Sequence, residues 1–195
     1  MKLGQPLCAA ALLALAASPA LAQKAADTTE GGVASAYESK AAKDQVPLTE
    51  DLRKTSNEAL QATLYELTEL QHRDHQAHWN VTGPLFYELH DLLEHLYEEV
   101  FTMIDVVAER ERALASPADS RPVAVAENAK LDDFPAGLMR DKQVLEQLSK
   151  DYHEVAQRVH GRLEATKDDP ASQDTLIDVS RMLDKHLWML RAFQL

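Results

Sequence analysis

The sequence predicts an all-α protein, a bundle of four long helices with a long crossover between the second and third. Three observations predict it. Apolar residues recur at three- and four-residue spacing in four separate stretches, the period of a helix with one buried face. Capping and breaking residues stand where those stretches begin and end. No run alternates as a strand would, and no glycine-rich nucleotide loop is present.

The bundle does not begin at Met1. Residues 1–22 carry Lys2, an apolar run and then Ala20-Leu21-Ala22, the n/h/c pattern of a secretory signal peptide. The apolar run is too short to span a bilayer. An ordinary buried helix is the alternative. Removing this segment would also remove Cys8, the only cysteine, leaving an exported chain with no thiol to mis-pair. The expected location is therefore the periplasm, with no membrane anchor. Residues 23–48 are polar, small and aperiodic and read as a flexible tail; residues 49–195 read as one domain with a sizeable core.

The first helix is expected from Thr49, an N-cap followed by Glu50-Asp51. Its stripe Leu60-Leu64-Leu67 continues as Gln71-Asp74-His78, turning polar toward the C-terminal end. Asn80, Gly83 and Pro84 are expected to cap and break it. The second helix runs from Pro84 to near Leu114, with an apolar stripe of Leu89, Leu92, Leu93, Leu96, Val100, Met103 and Val107. Residues 115–134 form the crossover, with a short helix expected over 123–131. The third helix is expected from Pro135, as an N1 proline, through Leu138, Leu145, Leu148, Tyr152, Val155, Val159 and Leu163. Asp169-Pro170 should open the fourth, in which Trp188 is expected in or near the core.

The second helix also carries chemistry. His90, Glu94, Asp105 and Glu109 fall within an arc of roughly 100°. His78, at the end of the preceding helix, is brought near His90 by the short antiparallel turn. Imidazole with carboxylate is a ligand set for iron and similar divalent metals. A lone histidine is usually a hydrogen-bonded structural residue; here five potential ligands of three residue types stand together in the sequence. Glu94 and Asp105 are about 16 Å apart along the helix, too far for one centre. Either the chain has two half-sites, or a two-fold dimer brings the halves of two chains together. His72 and His75 have no such support and read as surface or supporting residues. The single Glu69-Leu70-Gln71-His72 motif, with no second copy, does not make a di-iron centre inside one bundle.

These residues resemble the signature of the Dps family, the dodecameric mini-ferritins: His78-Trp79, Gly83-Pro84, His90, Glu94, then Asp105 and Glu109 within IDVVAER. The family more often has Asp where this chain has Glu94. The similarity runs from about Thr49 to the C-terminus. It implies a ferritin-like bundle and a homo-oligomeric shell, a dodecamer built from dimers. It also implies ferroxidase activity at inter-subunit two-fold iron sites, with hydrogen peroxide oxidising Fe(II) and Fe(III) stored inside. Trp79 is expected to shape the pocket wall or take up oxidising equivalents, with simple packing as the alternative.

Two other readings compete. One is a DNA-binding nucleoid-protection protein, which the resemblance also implies. Against it stands the formal charge of −12, which becomes −13 once residues 1–22 and Lys2 are lost. In the tail, Lys24, Lys40 and Lys43 are offset by Asp27, Glu30, Glu38 and Asp44. The other is a structural bundle without metal, whose acids are a solvated face.

Overall fold

The computed structural model describes residues 40–194. In chain order these form α1 (Lys40–Lys43), α2 (Glu50–Asn80), β1 (Val81–Thr82), α3 (Phe86–Ala113), α4 (Pro122–Asn128), β2 (Met139–Arg140), α5 (Asp141–Ala165) and α6 (Pro170–Ala192). The expected signal peptide, 1–22, lies outside the described residues, as does most of the expected tail. The last part of that tail is not featureless: it holds α1, and Val46 and Leu48 pack partly buried against the core.

The four long helices are α2, α3, α5 and α6. α2 packs chiefly on α3 and α5 chiefly on α6, and the two pairs join through α2–α5 and α3–α6 contacts. Each helix is present because its apolar stripe is buried. Leu60, Leu64 and Leu67 of α2, Leu89, Leu93 and Leu96 of α3, Leu148 and Val155 of α5, and Leu176 and Leu183 of α6 are all fully buried. Each such side chain contributes about 1.5–3 kcal/mol by leaving water. The helix ends follow local chemistry. Thr49 caps α2, its hydroxyl accepting from the Leu52 N–H at 3.3 Å. Asp169 caps α6 by accepting from Ser172 N–H, with Pro170 in the first turn. Arg110 near the end of α3 donates through both Nη2 contacts to the Asp169 carboxylate, at 3.0 and 3.2 Å, so one helix terminus secures another.

Buried polar groups cross between helices. Glu66 of α2, 1% exposed, accepts from Arg158 and Arg162 of α5, both at 2.5 Å. Arg73 of α2 donates to Asp151 of α5 at 2.8 Å, and its own Glu69 accepts from it at 2.8 Å. A hydrogen-bonded chain then takes one residue from every long helix: Tyr152 donates to Asp74 at 2.6 Å, His186 contacts the Tyr152 hydroxyl at 3.3 Å, and Glu99 accepts from His186 at 2.5 Å. Lys185 and His186 hold Glu99 down at about 2, against the opposing pull of burial, while burial pushes Asp74 well above the usual carboxylate range. Such pairs add little net stability compared with apolar packing, but breaking one costs roughly 3–5 kcal/mol. They therefore discriminate against misaligned packings of the four helices.

The structure departs from the sequence reading in four places. α5 begins at Asp141, not near Pro135, and Leu138 is 75% exposed. The cause is tertiary: Met139 and Arg140 are taken into a parallel two-residue bridge, Val81 opposite Met139 and Thr82 opposite Arg140. This is also the strand pairing that the sequence did not announce; two residues are too few to show alternation. The short crossover helix is α4, somewhat earlier than 123–131 and opened by Pro122. Trp188 is 60% exposed, because it lies about 140° round α6 from Leu183 and falls outside the apolar stripe. Finally, α2 ends on Asn80 with an extended C-cap at Val81, and the glycine is used one step later.

That glycine sits where the two pairs of helices meet. Gly83 has φ +124°, and a Cβ there would stand 2.5 Å from Oδ2 of Asp141. The same Oδ2 accepts from the Leu85 N–H at 3.2 Å, holding the start of α3 against the start of α5. Gly83→Ala should therefore lower stability by about 1–3 kcal/mol, read as a lower midpoint in thermal or urea unfolding. An unchanged midpoint would show that neither the backbone conformation nor the Asp141 contact matters here.

Candidate metal site

The site begins with the turn. Residues 81–85 reverse the chain tightly enough to bring the last turn of α2 against the first turns of α3. His78 and His90 then face each other and exchange bonds. Nδ1 of His78 lies 2.8 Å from the carbonyl oxygen of His90, and Nδ1 of His90 lies 2.9 Å from the carbonyl oxygen of His78. The rings stack, with centroids 3.7 Å apart and 18° between planes. The His78 carbonyl belongs to the final turn of α2, where no intrahelical donor is available, so the His90 ring supplies what the helix end lacks.

This pairing decides the tautomers. A carbonyl oxygen only accepts, so both Nδ1 atoms must carry the proton. In each neutral ring Nε2 then holds a free lone pair, the form that ligates a metal, with its orientation fixed by the Nδ1 bond. Aromatic rings enclose the pair. Phe86 stacks on His90 at 5.4 Å, and Tyr97 presents an edge contact to His78 at 5.5 Å. His75 stacks between Trp79 at 4.1 Å and Tyr97 at 4.4 Å. Burial first, then the neighbouring His78 and His72, lowers the His75 pKa, which keeps that ring neutral beside the site.

The acids are arranged differently. Glu94 is exposed one turn beyond His90 and accepts weakly from the Tyr97 hydroxyl at 3.4 Å. Asp105 and Glu109 are exposed further along the same helix and, among the described residues, have no hydrogen-bond or ion-pair partner. So of the five residues singled out in the sequence, the fold brings His78 and His90 into contact and sets Glu94 beside them. It leaves Asp105 and Glu109 apart from them. Among the described residues, no three histidines, cysteines or carboxylates converge in one chain. Glu69 pairs with Arg73, so the lone Glu-x-x-His segment is used structurally.

Sequence reading missed the roles of Phe86 and His75. A signal was present in both cases, since Phe86/His90 and His75/Trp79 are each four apart, the spacing of neighbours on a helix face. Trp79 is 63% exposed and covers His75, not the paired imidazoles. The face that carries the candidate ligands is itself apolar in part: Trp79, Phe86, Tyr87, Phe101 and Val106 are all exposed.

Comparison with known proteins agrees with the helical bundle. The ferritin-like domain family matches residues 57–194. The chain is 40% identical over 146 residues to DNA protection during starvation protein 2 of Deinococcus radiodurans, covering 74% of this chain and 60% of that protein's length. It is 34% identical over 121 residues to DNA protection during starvation protein 2 of Bacillus anthracis, covering 61% of this chain and 82% of that one. The crystal structure of Dps92 from Deinococcus radiodurans superimposes with a TM-score of 0.72 at 40% identity, over 74% of this chain and 88% of that one. On the ferritin-like match, the identity to these relatives and the shared bundle, this chain belongs to the Dps family of ferritin-like proteins.

Proposed function

We propose that this protein oxidises Fe(II) and stores the Fe(III) product inside a homo-oligomeric shell, at sites completed by two chains. The observation that carries this reading is the reciprocal His78–His90 pairing, which uses both Nδ1 atoms and leaves Nε2 of each stacked ring free to bind a metal. The same bonds also satisfy the end of α2; what points to a metal is that both rings keep a free Nε2 with the Glu94 carboxylate one turn further along. Glu94 beside them supplies the negative charge that favours Fe(III) over Fe(II). Asp105 and Glu109, exposed and unpartnered in one chain, supply the rest from a two-fold mate. The exposed aromatic and aliphatic side chains on the same face support a buried contact between subunits there.

Hydrogen peroxide is the proposed oxidant. Two Fe(II) ions each give one electron, the O–O bond breaks, and two protons complete two waters. The protein's part is to hold Fe(II) with imidazoles already oriented and to place carboxylates where positive charge increases. The aromatic rings of Phe86 and Tyr97 limit water around the imidazoles. The relatives' names refer to DNA protection. For this chain we read protection as iron and peroxide removal rather than DNA coating, because a chain of net charge −12 repels phosphate. Export to the periplasm fits the N-terminal pattern, and among the described residues no helix is long and apolar enough to cross a membrane.

Complementation tests the shared site. His90→Ala/Glu94→Ala removes one half and Asp105→Ala/Glu109→Ala the other, and each homo-oligomer should lose more than about tenfold in Fe(II) oxidation rate. Random co-assembly makes half the dimers mixed, each with one site intact, so about one quarter of the activity should return. Co-assembled oligomers as inactive as the parents would reject a site split between chains.

The mature protein should not retard duplex DNA in a gel-shift assay near physiological salt of about 150 mM; sequence-independent retardation would contradict the proposed role. Protein isolated from its native host should start near Gln23 by intact mass, and retention of Met1 would rule out export by signal cleavage.

A further inference from the structure

We propose that the cavity between the first turns of α2 and the last turns of α3 binds a hard divalent cation, held by oxygens of Glu111 and Asn57. The cavity is about 410 Å³ and both side chains line it, together with Ser116 from the crossover. Glu111 is 1% exposed, and its Oε1 has no hydrogen-bond partner. Asn57 Oδ1 is likewise buried without a partner. The Asn57 amide is oriented by its other branch, Nδ2 donating to Ser116 Oγ at 2.6 Å. Two buried acceptors therefore border one space.

Two neighbouring amides use their donors elsewhere, and the Tyr65 hydroxyl in the same wall makes no hydrogen bond to either oxygen among the described residues. Gln61, in the same wall, uses its amide nitrogen on the Asp119 carbonyl at 2.8 Å, and its amide oxygen accepts from the Asp119 N–H at 2.9 Å. Lys130 borders the cavity but is exposed and makes no ion pair with Glu111 among the described residues. Buried oxygens without a partner call for an electropositive ligand, here a cation that displaces the proton which burial, with Asp119 nearby, otherwise favours on Glu111. One carboxylate and one amide oxygen, with space left for water, is the coordination a small hard cation takes when it keeps much of its hydration shell. Glu58, an exposed carboxylate at the same cavity, favours cations over anions there. This place is separate from the iron site: Glu111 lies about 200° round α3 from Glu109.

Mn(II) is the probe, since it takes oxygen ligands and is counted by electron paramagnetic resonance. It is titrated into metal-free, assembled, full-length protein. Glu111→Gln should lose one Mn(II) per chain and keep its Fe(II) oxidation rate within about twofold, while His90→Ala/Glu94→Ala should retain that Mn(II). Asn57→Asp adds a charge to the ligand set and should tighten this Mn(II) by about tenfold; it also carries the test if Glu111→Gln does not assemble. Equal Mn(II) stoichiometry in wild type and Glu111→Gln would overturn the proposal, as would Asn57→Asp binding no more tightly. Those results would mean that a proton kept on Glu111, water, or an Asn57 amide turned to donate to Glu111 satisfies the two oxygens.

Discussion

The reciprocal bonds between His78 and His90 are the constraint on which the rest of the site depends. Each imidazole gives its Nδ1 proton to the other's backbone carbonyl, so neither ring can rotate or change tautomer without leaving a carbonyl unpaired. Two things follow from one contact. The end of α2 is pinned to the start of α3, and both Nε2 atoms are held as acceptors. Structural satisfaction of a helix end and orientation of the proposed metal ligands are here the same hydrogen bonds.

Keeping those bonds in register requires the rest of the bundle. The turn between α2 and α3 is short, so any shift of one helix along the other would separate the rings. Gly83, Asp141 and the β1–β2 bridge fix that turn against the start of α5. Deeper in the bundle, the Arg73–Asp151 pair and the chain from Asp74 through Tyr152 and His186 to Glu99 join all four helices. Asp74 lies one turn before His78 on α2, so the last buried polar network and the first proposed ligand share a helix face. Apolar burial supplies most of the stabilisation, and the polar crossings specify which alignment is stabilised.

The same helix serves two environments. One side of α3 presents Leu89, Leu93, Leu96, Val100 and Val107 to the core, all fully buried. Another presents Glu94, Asp105 and Glu109 with Phe101 and Val106, exposed in a single chain. Exposed aromatic surface interleaved with unpaired carboxylates is unfavourable for an isolated subunit and suits a face covered by a second copy. That economy of one helix facing both ways underlies the proposed sharing of iron ligands.

The sequence by itself determined the four helices, the N-caps at Thr49 and Asp169, the long crossover and the five candidate ligands. These features are local: periodic burial, a capping oxygen within three residues, and ligand spacing along one helix can all be read without knowing what lies opposite. What only the tertiary structure decided depends on partners distant in the chain. Residues 135–140 lose their expected helical start because residues 139 and 140 pair with 81 and 82. Trp188 turns out of the core because the neighbouring helices cover a different side of α6. Tautomers at His78 and His90 are set by carbonyls twelve residues away, through a turn whose geometry no spacing rule specifies. Glu111 is in the same position: an acid two residues from Glu109 reads as solvated, until packing against Asn57 and the crossover buries it and pushes its pKa up to about 8, with Asp119 adding to the effect of burial.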